Sequence, residues 1–120
     1  MMYTLKIKIT KDTLLKTMWC IGGDPQNCGV SEAVRDIFPD AITSSWDISP
    51  FNTSLRINLP IEARMFIHAF DRAMPNERLM MPELEFEVSI PDSVIEKINI
   101  DEIKPLLVNH PSLKLSMIEV

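Results

Sequence analysis

Cys28 stands with Gly29 and Ser31 at the head of the run NCGVSEAVRDIF, where apolar residues begin to recur at helical spacing. The free amide groups and positive dipole end of a helix start stabilise a thiolate, so a cysteine there can act as a nucleophile. No histidine lies nearby in sequence to serve as its base, and cysteine is among the residue types most often buried, so packing as a small hydrophobe is the favoured explanation. Farther along, Arg64, His68 and Arg72 recur every four residues. That interval puts them on one helical stripe, which suits an anion or an acidic partner. A solvated face on which Glu62 and Asp71 balance part of the charge accounts for the same spacing. Glu83, Glu85 and Glu87 alternate with apolar residues and form a ladder of carboxylates along one face of a strand.

Other chemistries find little support. The soft metal ligands are Cys20, Cys28, His68 and His110, without a CxxC or HxxxH pair, so no metal site and no cofactor are expected. The stretch GGDPQN at 22–27 lacks the lysine and following hydroxyl of a phosphate cradle, and no GxGxxG, GxSxG or paired-carboxylate signature occurs. The balance leans away from an enzyme, with a small thiol-dependent enzyme using Cys28 as the catalytic alternative.

The elements that must position these residues read as follows. Tyr3, Leu5, Ile7 and Ile9 alternate with Thr4, Lys6 and Lys8, the period of a strand with one wet face. Thr10 or Asp12 caps a short helix bearing Leu14, Leu15, Met18 and Trp19. GGDPQN is a loop, and a second helix spans about residues 29–38, with Val30, Ala33, Val34, Ile37 and Phe38 on one face before Pro39. Ile42, Trp46 and Ile48 suggest one strand, Leu55, Ile57 and Leu59 another, and SPFNT the hairpin turn between them. Pro60 opens a third helix whose buried face is expected to hold Ile61, Met65, Phe66, Ala69, Phe70 and Ala73. Leu84, Phe86, Val88 and Ile90 mark a strand. Residues 91–120 suggest weak helical turns, one interrupted by Pro105, and a last alternating run around Leu113 and Leu115. Met80 and Met81, near Pro75 and Pro82, offer adaptable apolar surface in a loop.

A chain of 120 residues, 46% hydrophobic and 24% charged, has the composition of one globular domain. The expected fold class is α+β: a single largely antiparallel sheet of about five strands, with two or three helices on one face. Residues 1–120 form that domain, with 91–120 as a possible extension packed on it. The formal net charge of −5 repels polyphosphate, which disfavours nucleic acid as a partner. The apolar runs are too short to cross a bilayer and the first ten residues alternate instead of forming a signal block, so no membrane and a cytoplasmic location are expected. Two cysteines are too few for a disulfide framework. Exposed sheet edges make a homodimer plausible.

The order Cys28, Gly29, Val30, Ala33, Val34, then Leu59, Pro60, Ala63, Phe66, Ile67, Phe70, Asp71, then Pro82, Leu84 and Phe86 resembles a group of small bacteriophage and mobile-element proteins. Gly29 stands where that group commonly has proline, and the last thirty or so residues extend past its usual end. The resemblance implies a phage-type accessory protein acting inside a bacterial host. The expected function is noncatalytic binding of a host protein, with inhibition of a defence system as one such role, through the Glu83, Glu85, Glu87 face or the terminal segment. The alternative is a binder that sequesters an anionic nucleotide with Arg64, His68 and Arg72.

Overall fold

A computed structural model describes residues 2–20 and 28–118. The loop expected at 22–27 lies outside the described residues. In chain order the elements are β1 (Met2–Ile9), α1 (Lys11–Thr17), α2 (Gly29–Val34), β2 (Ile42–Thr43), β3 (Asp47–Ser49), β4 (Ile57–Asn58), α3 (Ile61–Arg72), α4 (Pro75–Leu79), β5 (Leu84–Ile90), α5 (Asp92–Ile95), α6 (Ile100–Leu107) and β6 (Leu113–Ile118). The chain is α+β and its strand pairing is antiparallel. The single five-stranded sheet expected from the alternation is not formed: the strands divide into two three-stranded sheets, ordered β5-β1-β6 and β2-β3-β4. Nor are two or three helices enough, since six occur among the described residues.

β1 occupies the centre of the larger sheet because it is the one strand whose alternation meets a matching strand on each side. Leu5, Ile7 and Ile9 are fully buried, and Phe86, Val88 and Ile90 of β5 lie beside them. Leu113 of β6 completes the inner face opposite Ile7. Residues beyond 91 are built into the core, for Val94 and Ile103 are buried with Leu113.

The smaller sheet departs from expectation for a local reason. Ile42, Trp46 and Ile48 do not share a strand, because the chain reverses between β2 and β3. The Ser44 hydroxyl accepts from Trp46 N at 3.1 Å and from Asp47 N at 3.1 Å, a side-chain turn that ends the extended run. Trp46 therefore sits at a hairpin tip and is 64% exposed. The run at 55–59 contributes only the two residues of β4.

Helix α2 is shorter than the apolar spacing suggests and ends at Val34, whose carbonyl accepts both Ile37 N and Phe38 N as the chain tightens into a turn. Val30, Ala33, Val34, Ile37 and Phe38 are nonetheless all buried. Pro60 is the N-cap of α3, not its first helical residue. The buried face of α3 is Ala63, Phe66, Ile67 and Phe70, so Ile61 and Met65, expected in the core, are 64% and 65% exposed. Phe66 and Phe70 stack with centroids 6.0 Å apart. The Met80 region is not simply a loop: Pro75 starts α4, and Glu77 accepts from Met74 N at 2.9 Å. Pro105 lies inside α6 instead of ending it.

Arg78 is 3% exposed, and its guanidinium serves the ends of two helices at once. Nε donates to Phe70 O at 2.9 Å near the end of α3, and Nη1 donates to Met18 O at 3.0 Å and Cys20 O at 2.5 Å just past α1. Its carbon lies 4.1 Å from the centre of the Phe70 ring. Carbonyls at helix C-termini lack intrahelical partners and carry partial negative charge, so a cation with a planar fork of donors is well matched to them.

Two stability predictions follow from this packing. Arg78→Ala removes a buried donor from the Met18, Cys20 and Phe70 carbonyls and should cost about 3 kcal/mol in a denaturant titration. Gly29→Ala should stabilise by about 0.5 kcal/mol, because Gly29 is helical and an added Cβ would meet Phe66 Cε1 at 3.5 Å, an ordinary contact.

Candidate functional site

The three helix-three residues singled out by spacing do come together. Arg64, His68 and Arg72 line one shallow groove of about 730 Å³, with Ile61, Met65 and Trp46. The reason is the rotation of α3: once Ala63, Phe66, Ile67 and Phe70 turn inward, positions 61, 64, 65, 68 and 72 share the outward side. The β2–β3 hairpin supplies the second wall. Trp46 O accepts Leu59 N at 3.1 Å, which holds the hairpin tip beside the start of α3. Arg64 Nε donates to Leu59 O at 3.0 Å, and its guanidinium lies 4.7 Å from the centre of the Trp46 ring. The indole is thus fixed in place by a cation stacked on it while much of its surface stays open.

Such a surface is uncommon on a small folded chain. Exposed apolar residues scattered singly carry no message, whereas a tryptophan, an isoleucine and a methionine meeting in one depression do. Trp46, Ile61 and Met65 are each about two-thirds exposed. The polar members are arginines and a histidine, without a carboxylate in the lining.

The carboxylate ladder is differently placed. Glu85 pairs with Lys6 at 3.5 Å and Glu83 with Lys8 at 4.0 Å across β1 and β5. Glu83 also accepts from Lys11 N at 2.8 Å. Glu87 instead lines a groove of about 650 Å³ beside β4, with Asn58, Pro60 and Asp92. The ladder is thus divided and largely balanced by lysines on its own face.

Cys28 is the N-cap of α2, and its 6% exposure leaves little of it open to solvent. Its Sγ accepts from Ser31 N at 3.5 Å and approaches Ser31 Oγ at 3.6 Å. The thiol therefore does for the helix start what a serine or aspartate usually does. Ser31 Oγ is in turn 2.6 Å from Thr43 Oγ1, which ties α2 to β2. Among the described residues no group of three or more His, Cys, Asp and Glu side chains is arranged to hold a metal ion.

His110 is occupied elsewhere. Its Nδ1 accepts from Ser112 N at 3.0 Å and Leu113 N at 3.1 Å, which places the ring proton on Nε2, 2.7 Å from Asp36 Oδ2. This imidazole fastens the start of β6 to the turn after α2.

The α3 groove was half legible beforehand. Spacing alone yields the stripe of Arg64, His68 and Arg72, whereas it places Trp46 in a strand and Ile61 and Met65 in the core. The pair Ser44–Ser45 ahead of Trp46 was the available signal of a turn. Comparison with protein-family models, with curated proteins and with solved structures finds no match for this chain.

As the capping thiol of a buried helix start, Cys28 should alkylate in the native protein far more slowly than in urea-unfolded chain, followed by mass spectrometry of the peptide containing it. Cys28→Ala should destabilise by about 1 kcal/mol through loss of the cap, and Cys28→Ser should retain most of it.

Proposed function

We propose that this chain is a noncatalytic protein-binding module whose contact surface is the groove between α3 and the β2–β3 hairpin. One observation carries the reading: Trp46, Ile61 and Met65 stand exposed together while Arg64 and Arg72 flank them. Tryptophan, methionine and arginine are the side chains enriched where proteins meet, since they offer large contact area and charge that survives partial desolvation. The protein as a whole is acidic, so a local pair of arginines selects against its own average surface and favours a partner with carboxylates. The occupant that fits is an amphipathic segment with apolar residues on one side and acidic residues along its border. The resemblance to phage accessory proteins makes a host protein, including a component of a defence system, the natural source of that segment.

Sequestration of an anionic nucleotide is the second reading. It has the Trp46 ring and Arg72 in its favour, but Arg64 is already engaged by Leu59 O and by the indole face. A thiol enzyme has no support in the surroundings of Cys28 described above.

The test uses Trp46 as its own reporter in a Trp19→Phe background. Titration with a synthetic amphipathic peptide bearing leucines and glutamates should shift the Trp46 emission to the blue and saturate. Met65→Glu should weaken that binding at least about tenfold, the scale of a hot-spot residue. A flat response to the peptide, combined with a saturable response to cyclic or linear nucleotides, would replace this reading by the second one.

A further inference from the structure

The sheet β5-β1-β6 ends differently at its two edges. β5 has β4 beside it, and Pro82 and Pro91 stand just outside its ends. β6 has neither kind of protection: no proline falls within Leu113–Ile118, and Lys114 is its one charged residue. Ser116, Met117 and Ile118 are exposed in succession, so both faces of the strand are open at that end. Among the described residues α6 packs against β6 but no strand pairs with its outer edge, and an unpaired apolar edge is a template for another strand.

The direction of its backbone groups can be read from one bond. Lys8 N donates to Ser112 O at 2.7 Å, and the register continues with Ile7 opposite Leu113. Bonded and open positions alternate along an antiparallel pair. Lys114, Ser116 and Ile118 therefore bond toward β1, while Leu113, Leu115 and Met117 turn N–H and C=O outward. The Leu113 N–H is taken by His110 Nδ1, so the imidazole closes the beginning of the edge. Leu115 and Met117 keep outward donors and acceptors.

We propose that β6 pairs antiparallel with β6 of a second copy of this chain, across a two-fold axis at Ser116. That axis sets Leu115 opposite Met117 of the other copy, twice, and each such pair exchanges both backbone hydrogen bonds. Ser116 meets its own counterpart at the close, non-bonded position, where a small side chain fits. Lys114 falls opposite Ile118. An axis at Lys114 would oppose two lysines, and one at Leu115 would bring Met117 against Leu113, where His110 holds the amide. Any extended chain can satisfy the backbone, but of the three settings centred on Lys114, Leu115 and Ser116 the last joins apolar to apolar, separates the lysines and leaves His110 outside the seam.

Sedimentation equilibrium of the full chain tests the pairing. The weight-average mass should rise from 13.7 kDa toward twice that value between about 10 μM and 1 mM, the range of a small interface. Leu115→Pro removes an outward N–H together with a half-buried leucine side chain and should hold the mass at 13.7 kDa with the circular dichroism of the wild type. Should Leu115→Pro fail to fold, Met117→Lys, which sets a charge against Leu115 of the other copy, should do the same. A mass of 13.7 kDa at every concentration would overturn the proposal. So would association that survives both variants, or that Met65→Glu on α3 abolishes.

Discussion

Four side chains of α3, Ala63, Phe66, Ile67 and Phe70, have to leave water together, and the rotation that achieves this decides what the rest of the helix shows. A helix has one setting that buries a given stripe. With Phe66 and Phe70 stacked on each other and Phe66 close to Gly29 and Ile9, the opposite side can only face outward. Ile61 and Met65 are stranded there with Arg64, His68 and Arg72, and the hairpin tip adds Trp46. The groove is thus a consequence of how the core was packed, and its apolar character is the part of α3 that the core could not take in.

Much of the molecule is short elements, and short helices do not hold themselves together in isolation. Their ends are tied instead. Thr10 caps α1, Cys28 caps α2, Asn99 caps α6, and Arg78 gathers the C-terminal ends of α1 and α3 on one guanidinium. His110 does the same for the approach to β6 through two amides and Asp36. Residues that invite a catalytic reading by type alone, a cysteine at a helix start and a histidine beside a carboxylate, are here employed as fasteners. Their hydrogen bonds run to nearby backbone amides and to the side chains of Ser31 and Asp36.

The charges divide in a similar way. On the outer face of the larger sheet, carboxylates of β5 are met by lysines of β1, so the ladder contributes little field beyond its own strand. Exposed pairs of this sort add little stability, but they keep like charges from standing opposite one another across the sheet. The positive side chains of the α3 groove have no carboxylate in their lining. An acidic chain therefore presents a local surface of opposite character to its average, and it does so beside the exposed indole of Trp46.

By itself the sequence determined the strands β1, β5 and β6, the existence of α1, α2 and α3, and the stripe of Arg64, His68 and Arg72. In each case a period of two or of about 3.6 residues is imposed by local geometry and needs no knowledge of neighbours. Three things were decided only in the tertiary structure. Periodicity shows that α3 has an apolar side, but Ile61, Met65 and Ala69 compete with Ala63 and Ile67 for it, and the shape of the opposing sheet chooses the winner. The run 42–48 folds into two paired strands of the smaller sheet because the Ser44 hydroxyl ends an alternation that reads as continuous in one dimension. Arg78 is buried because two helix ends, with the carbonyls of Met18 and Phe70 52 residues apart in sequence, converge on one point, and a cation can satisfy partners that are distant along the chain and adjacent in space.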